Sequence, residues 1–550
     1  MDTLPHVSWL TLCAPILAYA AYQSALLVIS YVWSPLRYIP GPPRKYWLTG
    51  SFEKGVWEPD AIELQEKWVQ KYGHVFKYGA FWNMTNITVT DLKAINHIFT
   101  HGNEFPKPMG LRHLLGDLLG TGLLFVEGSQ HRQQRKIMNP AFGLPQIRKF
   151  TDLFIDKSIE FRDALLSDIH HSDAVRPDGK LRIDAYFWLN KVTLDIIGLA
   201  GFNYAFNAIP QDKPNALVEG FRASMEIDPF SLSTLLPIVF PPSRYFPMER
   251  NRQMARTLKV INTIGTKLIA EKKAEILAIT ETDAKGGVEK RNIQGHDLLS
   301  LLMKANMASD IPDNQRMSDA DILSQVPTFL IAGHETTSTS LAWTLFALSA
   351  HPAVRARLNA ELRAHPSDTP SMDELAALPY LDKVAREVLR LYCPVNNTER
   401  APLADTTVPL EKPFIGTDGL PRHEFPVPKG QSVLIPIRLL NRSKELWGAD
   451  AHEFNPDRWD SIPDKVQEIP SIFSHLLTFI AGAHACIGYR FSIIEMKAIL
   501  FTFVRAFDFE LAVSPEEIIR KTMIVARPVV ESESDFGHQL PILIWPAKVE

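Results

Sequence analysis

The ten residues "FIAGAHACIG", Phe479 to Gly488, hold one cysteine, Cys486, in a run of small residues, with His484 two places before it. The 550-residue chain has only 3 cysteines. A lone buried thiol is ordinarily a small hydrophobe. The alternative is a sulfur that serves as a ligand or a nucleophile. A thiolate is a strong ligand for haem iron. A Gly-bounded turn lets backbone N–H groups reach that sulfur. The next stretch, "YRFSIIEMKAILFTFVRAF", reads as a helix whose N-terminal dipole would stabilise negative charge there.

Working outward, the cysteines Cys13, Cys393 and Cys486 lie too far apart for a disulfide framework or a zinc-finger spacing. Their scarcity points to a reducing compartment. Cys393 reads as structural, capping a helix before Pro394. Hydrophobic residues at 46% and charged residues at 22% describe a globular chain with a large core. The net charge of −4 gives no support to a nucleic-acid partner. From His6 to Pro35 there is no Asp, Glu, Lys or Arg. That span can cross a bilayer, and Arg37, Arg44 and Lys45 follow it, so residues 1–36 are expected to anchor the chain with its body in the cytosol. "YIPGPPRK" then reads as a stiff, non-helical hinge over 37–45, leaving one domain over 46–550. Strands are expected in "HVFKYGAF", "TNITVTD" and "VPKGQSVLIPIRLL"; most of the remainder has helical periodicity. The fold class is mainly α with a smaller β region.

Several chemistries are excluded. No dinucleotide fingerprint, phosphate loop or GxSxG is present. "GHETT" lacks a second zincin histidine, with Ser338 at that position. In "PTFLIAGHETTSTSLAWTLFALSAHP", a long apolar helical run, Gly333, His334, Glu335, Thr336 and Thr337 conflict locally with their setting. Such conflict is tolerated mostly at functional sites. An acid beside an alcohol in apolar surroundings can deliver protons; the bland alternative is a solvated helix face. Glu387 and Arg390 share a helix face, as common surface pairs do. "FNPDRWD" supplies Arg458. His131 and Arg135 at i, i+4 can hold an anion, or simply face water.

Taken in order, these motifs resemble the cytochrome P450 family of haem-thiolate monooxygenases, from the hinge near Pro40 to the end. The family's cysteine loop matches Phe479, Gly482, Cys486 and Gly488. Its oxygen-activation motif matches Ala332, Gly333, Glu335, Thr336 and Thr337. Its Glu-x-x-Arg pair and later arginine match Glu387, Arg390 and Arg458. Its Trp-x-x-x-Arg motif matches only at Arg135, with His131 in place of Trp, and His484 stands where the family usually has Arg.

The resemblance implies a cytochrome P450 fold behind one N-terminal transmembrane helix. Haem b (iron protoporphyrin IX) would be ligated through Cys486, with Arg135, His131 and His484 at its propionates. Thr336 and Glu335 would relay protons, and Glu387, Arg390 and Arg458 would form a structural cluster. It implies O2 as co-substrate and NADPH electrons through a separate NADPH–cytochrome P450 reductase. Arg132, Lys136, Arg490 and Lys497 are expected on the docking face. No obligate oligomer is expected. The pocket is expected around residues 105–125, 202–242, Thr328, Phe329, Val395, Asn396 and 523–530, and the apolar 228–247 stretch may be read as a membrane-dipping entrance. These segments suit a lipophilic substrate, with a terpenoid or triterpenoid of secondary metabolism favoured. Fatty acids, steroids and polycyclic aromatics stand as alternatives, and a haem-thiolate isomerase or dehydratase is a more distant one. The expected location is the endoplasmic reticulum membrane, single-pass, of a fungal-like source. Glycosylation patterns at Asn83, Asn86, Asn396 and Asn441 would stay unmodified in the cytosol. A His pair in place of Trp and Arg is expected to make haem retention pH-sensitive. Matching retention profiles from pH 8 to 5 in wild type and His484→Arg would refute that.

Overall fold

The computed structural model describes the chain except residues 1–13, 15–16, 20, 23, 26–32, 44–60, 80–84, 173–174, 211–248, 283–296, 308–315, 523 and 548–550. Most of the expected anchor, Cys13, Asn83 and the 228–247 stretch therefore lie outside the described residues. Among the described residues, no helix is long and apolar enough to cross a membrane.

The first elements are α1 (Ala61–Tyr72), β1 (Val75–Gly79), β2 (Thr85–Val89), α2 (Leu92–Thr100), α3 (Met109–Leu119), α4 (Gly128–Met138), α5 (Leu144–His171), β3 (Leu181–Asp184) and α6 (Ala185–Phe202). Next come α7 (Glu249–Thr282), α8 (Leu298–Met307), α9 (Asp319–Ala350), α10 (Pro352–Arg363), α11 (Met372–Ala377) and α12 (Pro379–Leu391). Then follow β4 (Thr398–Arg400), β5 (Thr406–Ile415), β6 (Pro421–Val427), β7 (Val433–Ile435), α13 (Ile437–Asn441) and α14 (Lys444–Trp447). The chain closes with α15 (Tyr489–Ala506), β8 (Phe507–Leu511), β9 (Ile518–Thr522), β10 (Ala526–Val530) and β11 (Pro541–Pro546). The expected class, mainly α with a small β region, holds. A four-stranded sheet runs β1-β2-β7-β4, a three-stranded one β3-β11-β8, and β5-β6 and β9-β10 pair as hairpins.

Helix α9 is the central rod. Ser318 and Asp321 cap it reciprocally, and nearly every residue from Val326 to Leu348 is buried. Its polar residues do not break it. Thr336 and Thr337 turn their hydroxyls back onto the carbonyls of Ala332 and Gly333, which satisfies them inside the helix. Gly333 is needed for packing: a Cβ there would lie 2.7 Å from Ile197 of α6.

Four expectations change. The hinge is not a free spacer: Pro35–Tyr38 forms a 3-10 turn, Leu36 and Ile39 are buried, and Lys77 of β1 donates to Pro40 O and Leu36 O. "VPKGQSVLIPIRLL" is not one strand: Val427 ends β6, and β7 takes only Val433–Ile435 before α13 begins. Tyr392, not Cys393, caps α12; Cys393 is wholly buried and its carbonyl accepts from Arg520. Asn441 is also wholly buried and bonded to Thr478, and Asn396 donates to Thr522. An unmodified Asn441 in the folded protein therefore carries no information on topology.

The expected cluster forms at the base of α12. Glu387 and Arg390, both fully buried, meet side by side at 2.8 and 2.9 Å. Arg458 Nε lies 3.4 Å from Glu387, whose carboxylate also accepts from Asn455 N and the Trp459 indole. Arg390 also donates to the carbonyls of Asn441, Ala451 and Glu453. Replacing Glu387 by Gln leaves two guanidinium groups without their shared anion. The expected loss is about 3–5 kcal/mol. Urea unfolding of Glu387→Gln against wild type measures it, and a difference below about 1 kcal/mol would count against this reading.

Candidate active site

The cysteine loop is built by backbone bonds. Cys486 N donates to Phe479 O at 2.9 Å, closing the turn on itself. Gly482 has φ +71°, and a Cβ there would come 2.4 Å from Phe99 O at the end of α2. Glycine is therefore required on two grounds at this position. Gly488 differs: its φ of −91° is ordinary and its nearest neighbour would be Phe142 at 3.8 Å. Its role is the N–H, which hydrogen-bonds to the sulfur. The loop leans on the Glu387 cluster through Asn441, whose Oδ1 accepts from Leu477 N and whose Nδ2 donates to Thr478.

Cys486 is exposed, yet burial pushes its thiol up, opposed by the Gly488 N–H and the Arg135 charge. The two facts describe a sulfur surrounded by protein but facing open space. Helix α9 shows the complementary feature. Along its otherwise buried middle, Ala332, Gly333 and Thr336 are half-exposed on one side. Phe329 of α9 meets Phe142 edge-on at 5.7 Å, and Phe142 borders Gly488, so one aromatic step connects the two surfaces. A thiol held in a Gly-containing turn and a strip of small residues on α9 suit a flat macrocycle whose metal takes a thiolate.

Charged and polar groups gather at one side of this loop. Arg135 donates to Ala485 O at 2.6 Å. The rings of His131 and His484 lie 4.1 Å apart. His484 Nε2 is 3.1 Å from Glu127, whose other oxygen takes Lys107 at 2.8 Å. Burial, followed by the neighbouring His484, holds His131 down to about 3. Burial also lowers His484, against the pull of Glu127. Both rings are thus driven toward the neutral form, the opposite of a pair poised to charge. The sequence reading gave Glu127 and Lys107 no role. These groups fit propionate carboxylates, with Lys107 and Arg135 supplying charge and the imidazoles supplying one N–H each.

Glu335 is placed apart from Thr336. Its carboxylate receives the Tyr186 hydroxyl at 2.5 Å and the Arg527 guanidinium, and lies 3.7 Å from His334 Nε2. Burial alone would raise its carboxyl; Arg527, His334 and Tyr186 together overcome this and hold it at about 2. Glu335 is therefore an ionised pin between α9, α6 and β10. Glu495 of α15, wholly buried beside Thr337, is the opposite case, with burial pushing its carboxyl well above the usual range.

The pocket expectations divide. Thr328 gives its hydroxyl to Leu119 O, and Asn396 is engaged by Thr522 and Arg520, so both are fixed in the frame. Phe329 is buried against Phe142, and Val395 is half-buried. On the expected docking face, Arg132, Lys136 and Arg490 are exposed. Lys497 is not: it is 3% exposed and paired with Asp382 at 2.7 Å. Its place on the buried side of α15 removes it from that set.

The depressed Glu335 carboxyl contributes stability that is present above its ordinary value near 4.5 and lost as pH falls toward about 2. Glu335→Gln should unfold at lower temperature than wild type at pH 7, and the gap should narrow between pH 4.5 and 3. A constant gap in thermal melts across this range would refute the assignment.

Comparison with known proteins agrees with this geometry. The family model described as Cytochrome P450 matches residues 40–531. The chain is 47% identical over 533 residues to cytochrome P450 monooxygenase 205 of Postia placenta, covering 96% of each. It is 45% identical over 535 residues to cytochrome P450 monooxygenase 128 of the same fungus, again covering 96% of each. It is 32% identical to ganoderic acid synthetase CYP5150L8 of Ganoderma lucidum, over 94% of this chain and 96% of that one. With the cysteine loop, the half-exposed strip of α9 and the Glu387 cluster in place, the chain belongs to the cytochrome P450 family and is a monooxygenase.

Proposed function

We propose that this monooxygenase inserts one oxygen atom from O2 into a lipophilic terpenoid or triterpenoid of secondary metabolism. Its electrons come from NADPH through a separate membrane-bound reductase. The observation that carries the reading is Cys486, held in a turn closed by its own N–H on Phe479 O, with the Arg135 charge beside its thiol. The substrate class is supported by the apolar pocket segments and by the name of the Ganoderma relative, ganoderic acid synthetase.

Haem b bound at Cys486 supplies the activation of O2. The chain's own residues do the rest. Cys486 donates its sulfur, and the Gly488 N–H tempers the charge on it. Arg135, Lys107 and the two imidazoles hold the carboxylates. Thr336, half-exposed with its hydroxyl on Ala332 O, is the group best placed to hold or pass a proton. Glu335 takes part in a relay only after leaving Arg527; in the conformation described it fixes the helix that carries Thr336. Residues 1–36 anchor the enzyme in the endoplasmic reticulum membrane with the body in the cytosol, and exposed Arg132, Lys136 and Arg490 steer an acidic reductase.

Two measurements test this. The reduced, CO-bound protein should show the Soret position of thiolate ligation, and Cys486→His should lose it. Product should then form from lipophilic substrates only with reductase and NADPH. Product without reductase would favour an isomerase or dehydratase instead. Thr336→Ala should lower product per NADPH consumed by roughly a hundredfold; unchanged coupling would remove Thr336 from proton handling.

A further inference from the structure

The groups that fit the propionates hold an acid of their own. Glu127 stands at the N-cap of α4, yet its side chain makes no cap bond to that helix. It turns instead into the protein, where it is 10% exposed. Its Oε1 accepts from Lys107 twice, from Nζ at 2.8 Å and from the backbone N at 3.2 Å. Its Oε2 lies 3.1 Å from Nε2 of His484, two positions before Cys486. Burial alone would raise the Glu127 carboxyl; His484 and Lys107 overcome this and hold it at about 2, so it is a carboxylate at neutral pH.

Cations surround it. Arg135 donates to Ala485 O at 2.6 Å. Arg400 ends β4 and is 2% exposed; the next residue, Ala401, donates its N–H to Pro106 O at 2.8 Å, which sets Arg400 beside the Lys107 segment. Its guanidinium lies over the Phe99 ring at 5.7 Å. Glu399, next to Arg400 in the chain, accepts from the Ser432 hydroxyl at 2.7 Å, and burial pushes its carboxyl up. Lys107 is thus already paired with Glu127. A cation bound to an anion attracts a propionate less than a free one does. A buried anion also acts through a low dielectric that salt screens little. Both effects of Glu127 have one sign: each disfavours adding an electron to iron held at Cys486.

We propose that Glu127 sets the electron affinity of this haem site, lowering its reduction potential below what the cations alone would give. This rests on haem binding at Cys486. Glu127 is then a charge-setting residue and not a catalytic one, since it acts through the field at the propionates and touches no reacting atom.

The test uses full-length, haem-loaded protein, titrated anaerobically with dithionite and followed by its absorption spectrum. Glu127→Gln should shift the midpoint potential upward and Lys107→Met downward, and the double variant should return close to wild type. A potential unchanged or lower in Glu127→Gln overturns the proposal. Shifts of one sign in all three variants overturn it as well, because they mark the pair as structural only. So does a folded Glu127→Gln that loses haem, since removing an anion beside the propionates strengthens their attraction to Lys107 and Arg400. Where Glu127→Gln does not fold, Lys107→Met decides: a downward shift supports the action of an unpaired Glu127, and no shift overturns it. Wild type whose reduced, CO-bound form lacks the Soret position of thiolate ligation overturns the ligand assignment, and the proposal with it.

Discussion

The buried pair of Glu387 and Arg390 is the interaction on which the catalytic loop depends. Arg390 spends its donors on one carboxylate and three backbone carbonyls, from Asn441, Ala451 and Glu453. The first carbonyl ends α13, and the other two belong to the irregular stretch between α14 and the cysteine. Such backbone has no ladder to define it, so a fixed guanidinium with fork geometry does the work a strand would do elsewhere. Taking both charges out of water is costly, and a buried pair is weak support for stability by itself. Its value here is specificity: Asn441, placed by Arg390, in turn places Leu477 and Thr478, nine and eight positions before the Cys486 sulfur.

How much of this could be read from the sequence depended on how local each feature is. Cys486, the α9 motif and the Glu387–Arg390 spacing are short patterns whose partners lie within a few positions, and they were legible. Lys497 was placed on the docking face as a cation of the cysteine side; only the packing of α15 reveals that it faces Asp382, 115 positions away. Glu335 was read with its neighbour Thr336, yet its bonds go to Tyr186 and Arg527, 149 and 192 positions distant. The strands β3, β8 and β11 also escaped, since β11 pairs across long separations, and the hairpins β5–β6 and β9–β10 escaped although they pair locally.

The two histidines that depart from the family pattern form a set rather than two isolated exceptions. With aromatic and guanidinium both replaced by imidazole, the rings lie tilted against each other at 35°, and Glu127 bridges His484 to Lys107. The positive charge that the missing arginine would have brought is supplied by a lysine from the segment before α3. The two histidines read as a pair suggested pH-sensitive binding; their surroundings show a rebuilt local network in which burial favours the neutral imidazoles.

Gly482 has a consequence for how the molecule comes together. Its backbone rests directly on Phe99 O, so the cysteine loop is shaped against a helix made some 380 residues earlier. At ordinary synthesis rates the interval between the two is on the order of a minute. Throughout that time the end of α2 waits without its partner surface, and the chain around it holds itself together by other contacts. The cysteine loop can therefore take its final shape only once the end of α2 has long been made, and the two ends of the chain close the site together.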